Sequence, residues 1–491
     1  MANTTANGDA SFNFDKFYNV IDGRLETTSK TRRGVNPSTL EPNPEVPVAS
    51  RDDVDKAVHA AQRAFESWSQ TPIEERRQAL LAFAESLAEH TDDFANMLTI
   101  EQGKPLNHAK AEVDASVRWL TEQSKLPFPE EVIEDTEAQT VTTTYSPLGV
   151  AVAIVPWNFP LMLACGKIAP ALLTGNVLIL KPSPFTPYCG LKLGELAQRH
   201  FPPGVFQALS GDDDLGPMLT EHLGVNKISF TGSSATGKKI MQSCSKTLKR
   251  VTLELGGKDP AIICEDVDLA TVVPQVTKFV WANSGQLCVA IKRIYVHTSI
   301  YRQFLDAFVK VTKSLVVGDG FNGVNLGPIQ NEMQYNRVRA FLEDIERNNL
   351  KVAAGKENYI GDQKPGPGYF ITPTVVDNPP DYSMIVREEP FGPVVPILQW
   401  ETEDEIIRRA NDTVYGLGAS VWTKDMDRAS RMSKRLKAGS VWINSHMLLH
   451  PLAPFGGHKE SGLGSEWGAQ GLKAYCNTQT FFWAKNNGGV H

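Results

Sequence analysis

Three residues whose types suit acyl chemistry stand far apart in the chain: Cys288 in NSGQLCVAIKR (283–293), Glu254 at the head of ELGGK, and Asn158 in VPWNFP. A thiolate is a strong nucleophile, but a free thiol with a pKa of about 8.5 is mostly protonated at neutral pH, so such chemistry needs a base. It also needs N–H donors for the oxyanion that addition to a carbonyl creates. Glu254 could be the base; the Asn158 amide and the backbone N–H of Cys288 could be the donors. Taken singly, each has a plainer reading: a lone cysteine packs as a small apolar residue, a glutamate at a strand end is a solvated charge or an ion-pair partner, and an asparagine before a helix is an N-cap. Lys292 and Arg293 read as scaffold, and His446 and His450 as surface residues that could touch polar substrate groups.

The elements that must position these residues are visible as hydrophobic patterns. Ser50 with Asp53 forms a capping-box pattern ahead of a helix whose face is Val54, Val58, Ala61, Phe65 and Trp68; a second helix turns Leu80, Phe83, Ala84 and Leu87 inward. From residue 149 the runs GVAVAIVP, NVLILK, VFQAL, NKISF and VTLEL alternate with helical segments, which predicts βαβ units and a parallel, doubly wound α/β sheet. A second α/β set begins near Pro260, with the strands RIYVH and SVWIN and the helices YRQFLDAFVKVTKSL and 333–347. The β-prone segments QTVTTTY (139–145) and TQTFFWAK (478–485) fit neither set. They are read as edge strands of an oligomerisation arm, or as a hairpin within one subunit.

A chain of 491 residues with 41% hydrophobic and 21% charged residues predicts at least two globular domains. A formal net charge of −7 without a basic block argues against a nucleic-acid partner. The polar opening, without a basic or apolar leader segment, and apolar runs too short for a membrane span lead to the expectation of a cytoplasmic protein with no membrane partner. The six cysteines form no C-x-x-C pair and have no histidine at zinc-ligand spacing, so neither disulfides nor a metal site is expected.

VPWNFP (155–160), KPS (181–183), FTGS (230–233), ELGGK (254–258), GQLC (285–288), EEPFGPV (388–394) and PFGGHKESGLG (454–464) stand in the order and at the separations of the aldehyde dehydrogenase superfamily, which the chain resembles from about residue 18 onward. The resemblance implies an NAD(P)-binding domain (1–124 and 148–256), a catalytic domain (257–460), and an oligomerisation arm with a C-terminal segment (125–147 and 461–491) in a homodimer or homotetramer. It implies oxidation of an aldehyde to a carboxylic acid through a Cys288 thiohemiacetal and thioester, with Asn158 in the oxyanion hole and Glu254 as general base. Lys167 and Glu466 resemble a pair that supports proton movement, or form a structural ion pair. The cofactor, NAD or NADP, is expected along Ile154, Pro156, Trp157, Lys181, Ser183, Pro184 and Leu255, with its pyrophosphate at Gly232 and Ser233 where a helix begins. Gln334, Glu389 and Phe391 are expected on the nicotinamide side.

The sequence departs from the family at Pro184, where many NAD-preferring members carry a glutamate that contacts the ribose 2'-hydroxyl; acceptance of NADP is therefore expected. The substrate pocket is expected at Phe159, Met162, Leu163, Gly166, Trp281, Leu287 and Val289, with Leu448 and Leu449 near its mouth. This apolar set without arginine favours a medium-sized aliphatic or aromatic aldehyde over a semialdehyde. A CoA-acylating dehydrogenase is the alternative within the oxidoreductases, and a cofactor-free Cys–Glu thiol hydrolase is the alternative from another class.

Overall fold

The structure is a computed structural model that describes residues 12–128, 130–355 and 366–485. The first eleven and last six residues of the expected domains lie outside this range.

The five apolar runs after residue 149 become strands Val150–Ile154, Val177–Lys181, Phe206–Ala208, Lys227–Thr231 and Arg250–Glu254. The first four are buried along their whole length, as strands covered on both faces by helices must be. They pair in parallel, with Val150–Ile154 between Lys227–Thr231 and Val177–Lys181. Arg250–Glu254 and Phe206–Ala208 lie outside these on either side. Antiparallel strands close both edges, and the sheet has eight strands in all. At one edge Gly462 and Leu463 pair with Glu254 and Leu253. At the other lie Asn19–Ile21 and Arg24–Glu26. The strand order therefore runs outward in both directions from the first βα unit, and the crevice at the carboxyl ends of such strands is where open α/β sheets bind ligands.

The second set forms a seven-stranded sheet, in which Asp259–Ile263 lies between Ile291–His297 and Gly418–Trp422. Its strands are parallel except Val352–Ala354, which runs antiparallel at the edge. Helix Arg51–Trp68 begins with the capping box: the Ser50 hydroxyl accepts from the Asp53 N–H, and the Ser50 N–H donates to the Asp53 carboxylate at 2.8 Å. Helices Tyr301–Lys313 and Glu332–Arg347 occupy the two predicted segments of the second set.

The two β-prone segments pair with each other. Gln139–Pro147 and Cys476–Ala484 run antiparallel over nine residues each, and Glu131–Asp135 adds a third strand. Phe482 and Trp483 remain 73% and 60% exposed on the outer strand. The region before residue 50 is more ordered than a polar tail: Thr31–Val35 and Pro42–Pro47 form a two-stranded ribbon. Two arginines on the first strand, and the prolines and a glutamate on the second, mask the alternation that would reveal it.

Candidate active site

The chemistry-bearing residues meet at the carboxyl edge of the eight-stranded sheet. Glu254 is the last residue of its strand, opposite Thr231. Asn158 lies between the end of strand Val150–Ile154 and helix Pro160–Leu173. Cys288 arrives from the other sheet, on the loop after helix Leu269–Trp281. That loop takes left-handed backbone at Asn283, Ser284 and Gly285 in succession. For residues other than glycine this conformation is costly and persists only where the surroundings enforce it. Here Gly285 is pressed against the loop of EEPFGPV, so closely that a Cβ on it would lie 2.3 Å from the Gly392 carbonyl oxygen. The Gln286 side chain locks the turn, donating to the carbonyls of Asn283 and Pro328 and accepting from the Gln330 N–H.

Asn158 is 3% exposed, and its Nδ2 donates to the Gln286 carbonyl at 3.0 Å, tying it to the cysteine loop. Two residues that the sequence reading missed hold it from behind. Lys104 donates from Nζ to the Asn158 carbonyl at 2.9 Å and is paired with Glu112 in the interior. Glu112 in turn accepts from the N–H groups of Leu161 and Met162 at 3.0 and 3.2 Å, closing donors in the first turn of the helix that follows Asn158. Nothing in local sequence could signal this, because Glu112 lies 49 positions away from Leu161.

Burial favours the neutral forms of both Glu254 and Cys288. Glu254 is 3% exposed, and neither carboxylate oxygen has a hydrogen-bond partner among the described residues. Burial drives its pKa well above the usual carboxylate range; the Glu466 charge adds to the rise and Lys167 opposes it. Lys167 and Glu466 form a buried ion pair, and the Ser229 hydroxyl donates to Glu466 at 2.6 Å. Cys288 is half-buried, and burial pushes its thiol up to about 12 while Lys292 acts in the opposite direction. The other five cysteines are buried. A resting thiol beside a carboxyl group that shuns charge can exchange a proton and then attack a carbonyl carbon.

The expected cofactor residues line the same strand ends. Ile154 and Lys181 are register partners, and Ile154 also pairs with Phe230. Lys181 is buried, donates to the Pro182 carbonyl at 3.3 Å, and is lowered to about 8 by desolvation, with Asp213 opposing the change. Ser183 accepts from the Phe185 N–H, and Pro184 between them is half-buried. Ser233 caps helix Ser234–Ser245, and the Gly232 N–H is spent on the Glu254 carbonyl. Leu255 is buried against Gly237 of that helix. The partly exposed Trp157, next to the half-buried Pro156, meets Phe391 edge to face at 5.3 Å, and Phe391 holds φ of 48°. Glu389 accepts from the Gly257 N–H at 3.1 Å. Gln334, expected on the nicotinamide side, donates from Nε2 to the carbonyls of Pro390 and Phe391 and so holds their loop.

Cys288 packs against an apolar cluster of Trp119, Met162, Val289, Leu417, Phe455 and Trp467, with Leu163, Trp442, Met447 and Leu449 at its margin. Met162, Leu163 and Val289, expected in the substrate pocket, pack in the same cluster as Cys288. Leu287 is buried but outside this cluster, and Phe159 is half-buried with its ring under the Lys104 ammonium at 3.7 Å. Trp281 is corrected: it points into the second sheet's core, donating to the Thr312 hydroxyl. A Cβ on Gly166 would lie 2.7 Å from Nε1 of Trp467, so the glycine admits that indole. His446 is fully buried rather than on the surface, bonded to Ser420 and to the Val289 carbonyl, whereas His450 is exposed and so is Leu448. Trp119, Trp442, Phe455 and Trp467 were missed because aromatic residues so far apart carry no spacing signal.

Comparison with known proteins agrees with this geometry. The model of the aldehyde dehydrogenase family matches residues 25–481. A putative aldehyde dehydrogenase, FUS7, of Gibberella fujikuroi is 45% identical over 473 residues, covering 96% of this chain and 99% of that protein. The crystal structure of betaine aldehyde dehydrogenase from Staphylococcus aureus in complex with NAD+ superposes with a TM-score of 0.92 at 34% identity, covering 97% of this chain and 96% of the other. An Escherichia coli NADP-dependent enzyme also reaches 0.92, at 32% identity and with 97% and 99% covered. With the family model spanning both sheets and the arm, this chain belongs to the aldehyde dehydrogenase family.

Proposed function

We propose that the protein oxidises an apolar aldehyde of medium size to its carboxylic acid, with NAD or NADP as electron acceptor. The observation that carries this reading is the buried Glu254 carboxyl group, without a hydrogen-bond partner among the described residues, at the strand end near which the Asn158 amide is tied to the cysteine loop.

Cys288 Sγ bonds to the carbonyl carbon while the thiol proton passes to Glu254. The oxyanion of the resulting thiohemiacetal is held by the Asn158 amide and the Cys288 N–H. The cofactor residues fit a dinucleotide: a helix begins at Ser233, the buried Lys181 ammonium lies at a neighbouring strand end, and Trp157 and Phe391 are partly exposed. When bound, the nicotinamide supplies the hydride acceptor through which the thiohemiacetal carbon is oxidised to the thioester. Glu254 releases that proton to solvent, then takes one from the water that attacks the thioester and gives it to the departing sulfur, so the acid leaves as the thiol re-forms. Lys167 and Glu466 hold the charge around Glu254 and offer it a proton path. A base placed for water favours hydrolysis over transfer to coenzyme A.

The walls around Cys288 support an aliphatic or aromatic tail. The same indole and phenyl faces suit a trimethylammonium head through cation–π attraction, which makes betaine aldehyde the second reading. Residence in the cytosol accompanies this proposal; among the described residues no helix is long and apolar enough to cross a membrane.

An NAD(P)H-absorbance screen tests the proposal. Hexanal and benzaldehyde should surpass succinate semialdehyde, and NADP should serve within about tenfold of NAD in kcat/KM because Pro184 offers no carboxylate. Cys288→Ala should be inactive. Full activity in that variant would refute the reaction, a large lead for succinate semialdehyde would refute the substrate class, and a preference for NAD above about a thousandfold would refute the cofactor reading.

A further inference from the structure

Lys292, four residues past the nucleophile, opens a question that Arg293 beside it does not. Arg293 is spent on scaffold, donating to the carbonyls of Lys258, Arg409 and Ala410. Lys292 is 3% exposed, although a strand lysine ordinarily reaches for water. Its Nζ lies between two groups of the site: 2.5 Å from the backbone carbonyl oxygen of Cys288 and 3.2 Å from Oε1 of Glu389. Burying an ammonium costs several kcal/mol unless it is paired, so this position is held by those two contacts.

The neighbours leave little freedom. Gly257 donates its N–H to the same Glu389 oxygen, and a Cβ on Gly257 would lie 2.6 Å from the Cys288 carbonyl oxygen. His446 fixes the next residue by its contact with the Val289 carbonyl at 3.0 Å. The charged and titratable groups bearing on this cluster are Glu389, Asp259, Glu254, Lys258, Arg293 and His446. Of these, Glu389 touches Lys292 directly.

We propose that Lys292 is a positioning residue whose ammonium fixes the Cys288 backbone and favours the thiolate, and that Glu389 limits this effect by sharing the ammonium. The proposal rests on Cys288 being the nucleophile. A buried ammonium and a half-buried carboxylate in one contact act at short range, where neutralising either one is felt by the thiol of the residue whose carbonyl the ammonium holds. The directions agree: Lys292 opposes the burial-driven rise of the Cys288 pKa, and Glu389 adds to it.

The test is the pH dependence of Cys288 alkylation by iodoacetamide in cofactor-free enzyme, with the modified cysteine identified by peptide mapping. Lys292→Met should raise the apparent thiol pKa by about one unit and slow alkylation at about pH 8 roughly tenfold, and Lys292→Arg should stay nearer the parent. Glu389→Gln should lower the apparent pKa. An unchanged midpoint in Lys292→Met overturns the proposal. If that variant does not fold, an unchanged or raised midpoint in Glu389→Gln overturns it. Turnover retained by Cys288→Ala removes the underlying reading instead, a separate result from either midpoint.

Discussion

A buried carboxyl group favours its protonated form, and Glu254 can act as a base only in the fraction of molecules that have lost the proton. Its pKa is raised by burial and by Glu466 and held down by Lys167. Hydrolysis should rise with pH as Glu254 ionises and fall on the acid side. Lys167→Met removes the opposing cation and should move the acid limb of kcat to higher pH by about one unit, while Glu466→Gln should move it lower. Limbs that stay in place would reduce the pair to structure. Sequence alone placed Lys167 and Glu466 near each other only by family resemblance; the contact joins residues 299 positions apart.

Two buried glutamates fasten helices of the cofactor side. Glu112 accepts from Leu161 and Met162, and Glu101 accepts from Tyr188 and Cys189 at the start of helix Tyr188–Ala197. Glu112 also neutralises Lys104, which holds the Asn158 carbonyl. Glu112→Ala would leave a buried ammonium unpaired and helix donors open. It should cost about 3–5 kcal/mol in urea unfolding and lower kcat through Asn158; a loss within about 0.5 kcal/mol would contradict the role. Strands and long helices were legible in the sequence because burial writes itself as apolar runs and repeats. These clamps were not, because their residues read as ordinary charges of exposed helix faces until the fold brings their partners to them. The ribbon Thr31–Val35 with Pro42–Pro47 stayed hidden for a related reason: its strands carry charges and prolines instead of an apolar alternation.

At the scale of the molecule, the site is a seam between two sheets, with Glu254 and Asn158 from one and the Cys288 loop from the other. The motifs were legible because each sits at a strand end or a tight loop; the aromatic wall was not, since Trp119, Trp442, Phe455 and Trp467 come from scattered segments. The three-stranded arm presents an outer strand with Phe482 and Trp483 exposed. An outer strand that pairs on one side only among the described residues and ends in exposed aromatics invites a second chain. We infer a homodimer or homotetramer joined there, and Phe482→Glu with Trp483→Glu should yield a smaller species in sedimentation velocity. An unchanged sedimentation coefficient would place the interface elsewhere.

The central claim, a Cys288 thioester hydrolysed by Glu254, is tested most directly by rapid-quench mass spectrometry of Glu254→Gln turning over an aldehyde. The account predicts a burst of NAD(P)H, steady turnover slowed by about a hundredfold or more, and an acyl group trapped on the peptide that contains Cys288. Parental turnover with no acyl adduct would contradict it.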